Sequence, residues 1–231
     1  MVETGERAGG GSGTAMGLRE RKKIQTQQRL MGVAIQLFTE RGYDKVSVAE
    51  IAEAAEVSKM TVFNHFGNKE DLALRPLEDH VHDAARTVRD RAPGESAVQA
   101  MRRHYLRAVD ERDASIGMND GPLVIQLLRL IMETPVLLTR AHAALVRGSD
   151  LLAEVLAEET GDRIMARVAA AQLEAVRATL IGENHRRLLL GDPADEIAPD
   201  AIRLAVQAFG QVEHGLGDYA TKPAAQAAPP A

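Results

Sequence analysis

The chain has 231 residues, room for one large domain or two modest ones, and no cysteine, which excludes disulfide frameworks, thiolate zinc sites and a cysteine nucleophile. Apolar residues make up 45% and charged residues 26%, which excludes wholesale disorder, while aromatics at only 3% favour helices over strands. A formal net charge of -5 argues against a uniformly basic, histone-like or polybasic membrane protein.

No apolar run approaches the roughly 20 residues of a membrane span. The N-terminus lacks the basic start and apolar centre of a signal peptide. The expectation is therefore a soluble, cytoplasmic, all-α protein.

The first 18 residues are glycine-rich with no periodic apolar pattern and read as a disordered arm, and residues 220–231 read as a disordered Ala/Pro/Gln tail. Between them a compact unit over 19–67 precedes a larger one over 68–219. Arg19 to Arg75 carries a charge of +2, leaving -7 for the rest, and it holds four of the seven aromatics: Phe38, Tyr43, Phe63 and Phe66.

Period and punctuation place the helices. The first runs from about Arg21 to Arg41, with Ile24, Met31, Ile35 and Phe38 on one stripe and Gly42 as its stop. Ser47 followed three residues later by Glu50 is a capping box that starts a second helix. A break at Glu56-Val57 follows, and Ser58 caps a third helix through Phe66. Asn68 with Asp71 caps a long fourth helix through about Asp90, with Pro76 as a point of kinking. Later helices are expected at 95–113, 121–133, 135–159, 162–190 and 198–217.

Residues 47–66 carry the functional information. Two short helices joined by a tight turn form a helix-turn-helix, in which the first helix braces across the phosphate backbone and the second lies in the major groove. Ile51, Ala52, Ala55, Val57 and Val62 supply the small core that fixes the interhelical angle. The second helix then offers Lys59, Met60, Thr61, Asn64 and His65. Lysine suits guanine acceptors or phosphate, asparagine suits adenine, and a methionine or threonine methyl can touch the thymine methyl. Ser47, Thr61, His65 and Lys69 are placed to meet phosphates, and Val48, next to Ser47, is also an expected DNA contact. Phe63 and Tyr43 either pack or stack on DNA. Lys22 and Lys23 belong either to a solvated helix start or to an arm that reaches the duplex. The partner that these residues call for is double-stranded DNA.

The connected pattern Leu37-Phe38, Gly42-Tyr43, Ser47-Val48, Ile51-Ala52, Ala55, Val57-Ser58, Thr61-Val62-Phe63, His65-Phe66, Lys69 and Leu72 resembles the TetR family of transcriptional repressors over roughly Arg21 to Ala73. The resemblance implies a homodimer with an N-terminal DNA-binding domain that binds a palindromic operator. It implies also a C-terminal helical domain that binds a small effector, dimerises through its last two long helices and releases DNA on ligand binding. One position departs from the family: Glu56 stands where a turn glycine is usual, at a cost of roughly 1 kcal/mol if the backbone there is left-handed.

In the larger unit, Met165, Val168, Leu173, Val176 and Leu180 recur at helical spacing, as do Ile202, Val206, Phe209 and Val212. They either pack on their own subunit or, as the resemblance implies, form the dimer's four-helix seam. Tyr105, Met118, Gln126, Arg129, Met132, His142 and Asn184 are candidate polar and adaptable groups of an effector pocket. The stretch from Gly148 to Leu190 is similar to TetR relatives grouped with the mycofactocin regulator, which implies an apolar or acyl effector.

Nothing calls for a metal or a cofactor. His80 and His82, two apart on a helix, point away from each other, and Glu78 with His82 supplies only two ligands. An enzyme would need a phosphate loop, a nucleophile elbow or convincingly paired carboxylates, none of which the sequence offers. A helical scaffold with a vestigial helix-turn-helix would have no use for Lys59, Thr61, His65 and Lys69 on one side.

Overall fold

The computed structural model describes residues 17–216 and 221–222. The arm expected over 1–18 lies outside the described residues up to Met16, and so does most of the tail expected over 220–231. The one described piece of that tail is docked: Gly94 N donates to the Lys222 carbonyl at 2.5 Å and Lys222 N to the Glu95 carbonyl at 3.4 Å.

The fold is all-α, with ten helices and no strand among the described residues. In chain order these are α1 (Leu18–Arg41), α2 (Val48–Ala54), α3 (Lys59–His65), α4 (Asp71–Asp79), α5 (Asp83–Arg89), α6 (Ala97–Asp110), α7 (Pro122–Glu133), α8 (Pro135–Thr160), α9 (Arg163–Leu190) and α10 (Ala194–Leu216). Single 3₁₀ turns lie at Tyr43–Lys45 and Ala114–Ile116. None of the helices is long and apolar enough alone to cross a membrane.

The buried apolar residues form two clusters. The N-terminal one gathers Leu30, Phe38, Ile51, Val62, Phe66 and Leu74 from α1 to α4, and it extends to Leu130 of α7 and Leu137 of α8. The second gathers Val88, Met101, Tyr105, Leu156, Leu173 and Phe209 from α5, α6, α8, α9 and α10. α8 and α9 form a helical hairpin about Gly161-Asp162, with α6 and α10 packed beside it. Thus α7 and the start of α8 are physically part of both halves.

The fourth helix is not continuous to Asp90. It breaks at 80–82, four residues beyond Pro76, into α4 and α5. The reason lies on another element: α8 crosses so closely that a Cβ on Gly148 would stand 3.2 Å from the Val81 carbonyl oxygen. His80 Nδ1 and Asp83 Oδ2, 2.7 Å apart, bridge the break. The last helix starts at Ala194 rather than 198, because Pro193 accepts from Glu196 and Ile197 N–H and so caps it. Pro199 sits within this helix.

Arg91, 2% exposed, fastens the α5–α6 connection. Its Nη2 donates to both Glu159 carboxylate oxygens at 2.8 Å, Nη1 to the Val88 carbonyl at 2.6 Å and Nε to the Glu95 carbonyl at 2.8 Å. A buried guanidinium is tolerated because its fork is matched to carboxylate and carbonyl acceptors.

Candidate nucleic-acid interface

The start of α2 is fixed by a complete capping box: Glu50 N donates to Ser47 Oγ at 3.2 Å and Ser47 N to Glu50 Oε2 at 2.8 Å. Bonds from the Ser47 backbone and hydroxyl hold the Glu50 carboxyl below its ordinary range. The end of α2 is a Schellman turn, with Val57 N donating to the Ala52 carbonyl at 2.9 Å and Glu56 N to the Glu53 carbonyl at 3.0 Å. Glu56 takes the left-handed residue of that turn, φ +52°, so the conformation that usually selects glycine is carried by a glutamate.

The turn aims α3. Ser58 Oγ accepts from Thr61 N at 3.0 Å, and Val62 is buried against Ile51, Ala52 and Ala55. With Val62 inward, the opposite side carries Lys59, Met60, Phe63 and Asn64, all exposed. Met60 is 67% and Phe63 43% exposed, and Lys59 Nζ stands 5.8 Å from the centre of the Phe63 ring.

The remaining expected DNA contacts are placed less simply. Lys22 and Lys23 lie exposed on the first turns of α1, so they sit on a helix and not on an arm. Ser47 is exposed, but its hydroxyl also donates to Glu50 Oε2 at 2.8 Å. Val48 is half-buried and packs against the N-terminal core. Thr61 is half-buried with its hydroxyl 2.8 Å from that of Ser58. His65 is half-buried, and its Nδ1 has no hydrogen-bond partner among the described residues.

Lys69 is turned to the protein. Its Nζ donates to the Tyr43 carbonyl at 2.5 Å and lies 4.1 Å from the centre of the Tyr43 ring and 5.5 Å from that of Phe38. A carbonyl and two aromatic faces outcompete an outward pose for the ammonium. It lies two residues before the start of α4. Burial, reinforced by the Glu70 carboxylate, pushes the Tyr43 phenol well above its ordinary range.

In the larger unit the expected pocket residues separate into two groups. Tyr105, Met118 and Asn184 are buried in the core. Asn184 Nδ2 donates to Tyr105 Oη and to the Ile116 carbonyl, both at 2.8 Å. Gln126, Arg129, Met132 and His142 lie exposed on α7 and α8 and do not join them, because those positions fall on the outer sides of the two helices. A cleft of about 250 Å³ opens elsewhere, between α5 and α6, lined by Arg86, Thr87, Asp90, Arg103, His104 and Arg107.

The expected seam divides likewise. Met165, Val168, Ile202 and Val206 are exposed on α9 and α10. Leu173, Leu180 and Phe209 are buried in the chain's own core, and Val176 and Val212 pack against it. Apolar residues line both sides of these helices, so periodicity alone assigned the inner ones to the outer stripe.

One link has no local signal in the sequence. Arg140 of α8 donates from Nη1 to Asn68 Oδ1 at 2.8 Å and from Nη2 to Asp71 Oδ1 at 2.9 Å. Asn68 and Asp71 are themselves reciprocal caps, Asp71 N donating to Asn68 Oδ1 at 3.0 Å and Asn68 N to Asp71 Oδ2 at 3.2 Å. The larger unit therefore grips the chain immediately after α3.

Comparison with known proteins agrees with this geometry. Residues 30–75 match the family described as "Bacterial regulatory proteins, tetR family". The chain is 36% identical over 148 residues to the HTH-type transcriptional regulator TcmR of Streptomyces glaucescens, covering 63% of this chain and 65% of that protein. It is 34% identical over 107 residues to the HTH-type transcriptional repressor DhaR of Mycobacterium sp. (strain GP1), covering 46% of this chain and 54% of that one. The alignments thus span less than two thirds of both relatives. Native NalD, described as the secondary repressor of the MexAB-OprM multidrug efflux pump in Pseudomonas aeruginosa, shares the fold at a TM-score of 0.53. It is 21% identical and the match covers 81% of this chain and 96% of NalD. The first two are named as an HTH-type transcriptional regulator and an HTH-type transcriptional repressor, and residues 30–75, which hold the helix-turn-helix of α2 and α3, are what this chain shares with the tetR family of bacterial regulatory proteins.

Proposed function

We propose that the chain is a ligand-responsive transcriptional regulator in the cytoplasm, a repressor that binds a palindromic operator as a homodimer and is released by a small effector. The observation that carries this reading is the outward presentation of Lys59, Met60, Phe63 and Asn64 by a helix whose other side is locked by Val62. A helix so held can enter a major groove about 12 Å wide and place its side chains at base edges.

Homodimerisation is supported by the exposed apolar positions Met165 and Val168 on α9 and Ile202 and Val206 on α10, which a free surface would leave in water. The exposed small residues Ala171, Ala175 and Gly182 on α9 allow a second helix to approach closely. Release by an effector is supported by the shared packing of α7 and α8 with both cores and by the grip of Arg140 on the approach to α4. The Tyr105–Asn184 pair is the polar group that an apolar or acyl ligand entering this core would meet.

Selection of randomised duplexes by the purified full chain tests the reading. It predicts enrichment of an inverted repeat with half-sites one helical turn or a multiple apart, two chains per duplex, and an affinity that falls steeply with salt. Asn64→Ala changes the enriched sequence rather than abolishing binding. Recovery of an unenriched pool at low salt would overturn it.

A further inference from the structure

We propose that Met60 and Phe63 together read the 5-methyl groups of thymines in each half-site, an inference that rests on the DNA-binding function above. The two residues are three apart on α3 and so share one side of it. Both are large and apolar, yet they are 67% and 43% exposed. Thr61, a competing methyl-bearing reader, is half-buried with its hydroxyl 2.8 Å from that of Ser58, so it presents less surface than Met60 or Phe63.

The chemistry of the partner is narrow. Among the groups that the four base pairs present in the major groove, the thymine methyl is the apolar one, and the others are hydrogen-bond donors or acceptors. Met60 and Phe63 have no donor to offer and only a weak acceptor in the thioether. Lys59, with Nζ 5.8 Å from the centre of the Phe63 ring, sets a positive charge beside the apolar pair, as a surface facing a polyanion requires. Asn64, exposed next to Phe63, has the bidentate amide that suits the adenine of an A·T pair. The reading surface is thus an apolar pair flanked by one cation and one amide.

Replacing single thymines by deoxyuridine deletes the methyl and leaves base pairing intact. The full chain is titrated by fluorescence anisotropy against its selected duplex and against duplexes with one thymine so replaced in each half-site. The expected result is a loss of about fourfold per methyl at one or two positions, the value of one such group removed from water. In Met60→Ala and Phe63→Ala, each checked for an unaltered thermal unfolding curve, the loss at the matching position disappears. Met60→Gln, which keeps the length but not the apolar surface, abolishes it as well. Full tolerance of deoxyuridine at every position, or a loss that survives all three variants, overturns the proposal while leaving the regulatory function standing. A wild-type chain that binds no duplex even at low salt overturns both.

Discussion

Arg140 Nη2 lies 2.9 Å from Asp71 Oδ1, while Nη1 of the same guanidinium lies 2.8 Å from Asn68 Oδ1, so a residue of α8 holds the cap of α4 two residues beyond Phe66. Glu70 and Glu78 stand within 3.7 and 3.9 Å of the same side chain, making a network rather than an isolated pair. The contact ties α8 to the segment that immediately follows α3.

Arg140→Ala therefore loosens the start of α4 without unfolding the chain. Because Arg140 is about one-third exposed, solvent discounts the pair, and the expected cost is about 1 kcal/mol. Hydrogen exchange followed by mass spectrometry checks it: amides over 68–74 exchange faster in the variant, and those of α9 do not. Unchanged exchange over 68–74 would show that the contact holds nothing.

Glu56→Gly should stabilise the chain. Glu56 occupies φ +52° at the end of α2, where a side chain strains the backbone and glycine does not. The gain expected is about 1 kcal/mol, reduced somewhat by the greater freedom of glycine in the unfolded chain. Urea unfolding of the two proteins reads it directly as a higher midpoint with the same slope.

Arg91→Ala should be among the most damaging single changes. It removes the donor to the Val88 carbonyl and the Glu159 carboxylate and leaves the Glu95 carbonyl only the longer bond from Lys222 N, at a cost of about 3 kcal/mol or more. Arg91→Lys does not restore the loss, because a single ammonium cannot copy the bidentate fork. Thermal unfolding of the three proteins distinguishes these outcomes.

Stability should decline on mild acidification through His185. Burial lowers its imidazole from 6.5 to about 4, so the unfolded chain takes up the proton first. The contribution is complete above pH 6.5 and is lost as pH falls toward 4, with a slope of up to about 1.4 kcal/mol per pH unit for one proton. His104, also lowered by burial, acts in the same direction. Urea midpoints measured from pH 7 to pH 4 should fall less steeply for His185→Gln than for the wild type.

The elements that were legible in the sequence are those closed by local chemistry. Ser47 with Glu50, Ser58 with Thr61 N–H, Gly161 and Gly191 mark helix ends because their bonds reach only a few residues. The break at 80–82 was not legible, since it depends on α8 crossing at Gly148 almost seventy positions away. The outward side of α3 could be read because burial of Val62 leaves one way to face. Lys69 could not, because its competing acceptor is the Tyr43 carbonyl, 26 residues earlier. The pocket was the least legible: Tyr105 and Asn184 meet across 79 residues, and exposed polar residues such as Gln126 and His142 carry the same letters without the same surroundings.

The location of α3 on DNA is open to one direct test, photo-crosslinking of the selected duplex carrying 5-bromodeoxyuridine in place of single thymines, followed by sequencing of the attached peptide. The bromine projects into the major groove, so the predicted attachment falls within Lys59–His65 at positions inside each half-site. Attachment confined to α9, α10 or the α5–α6 cleft, with none on α3, would contradict the account.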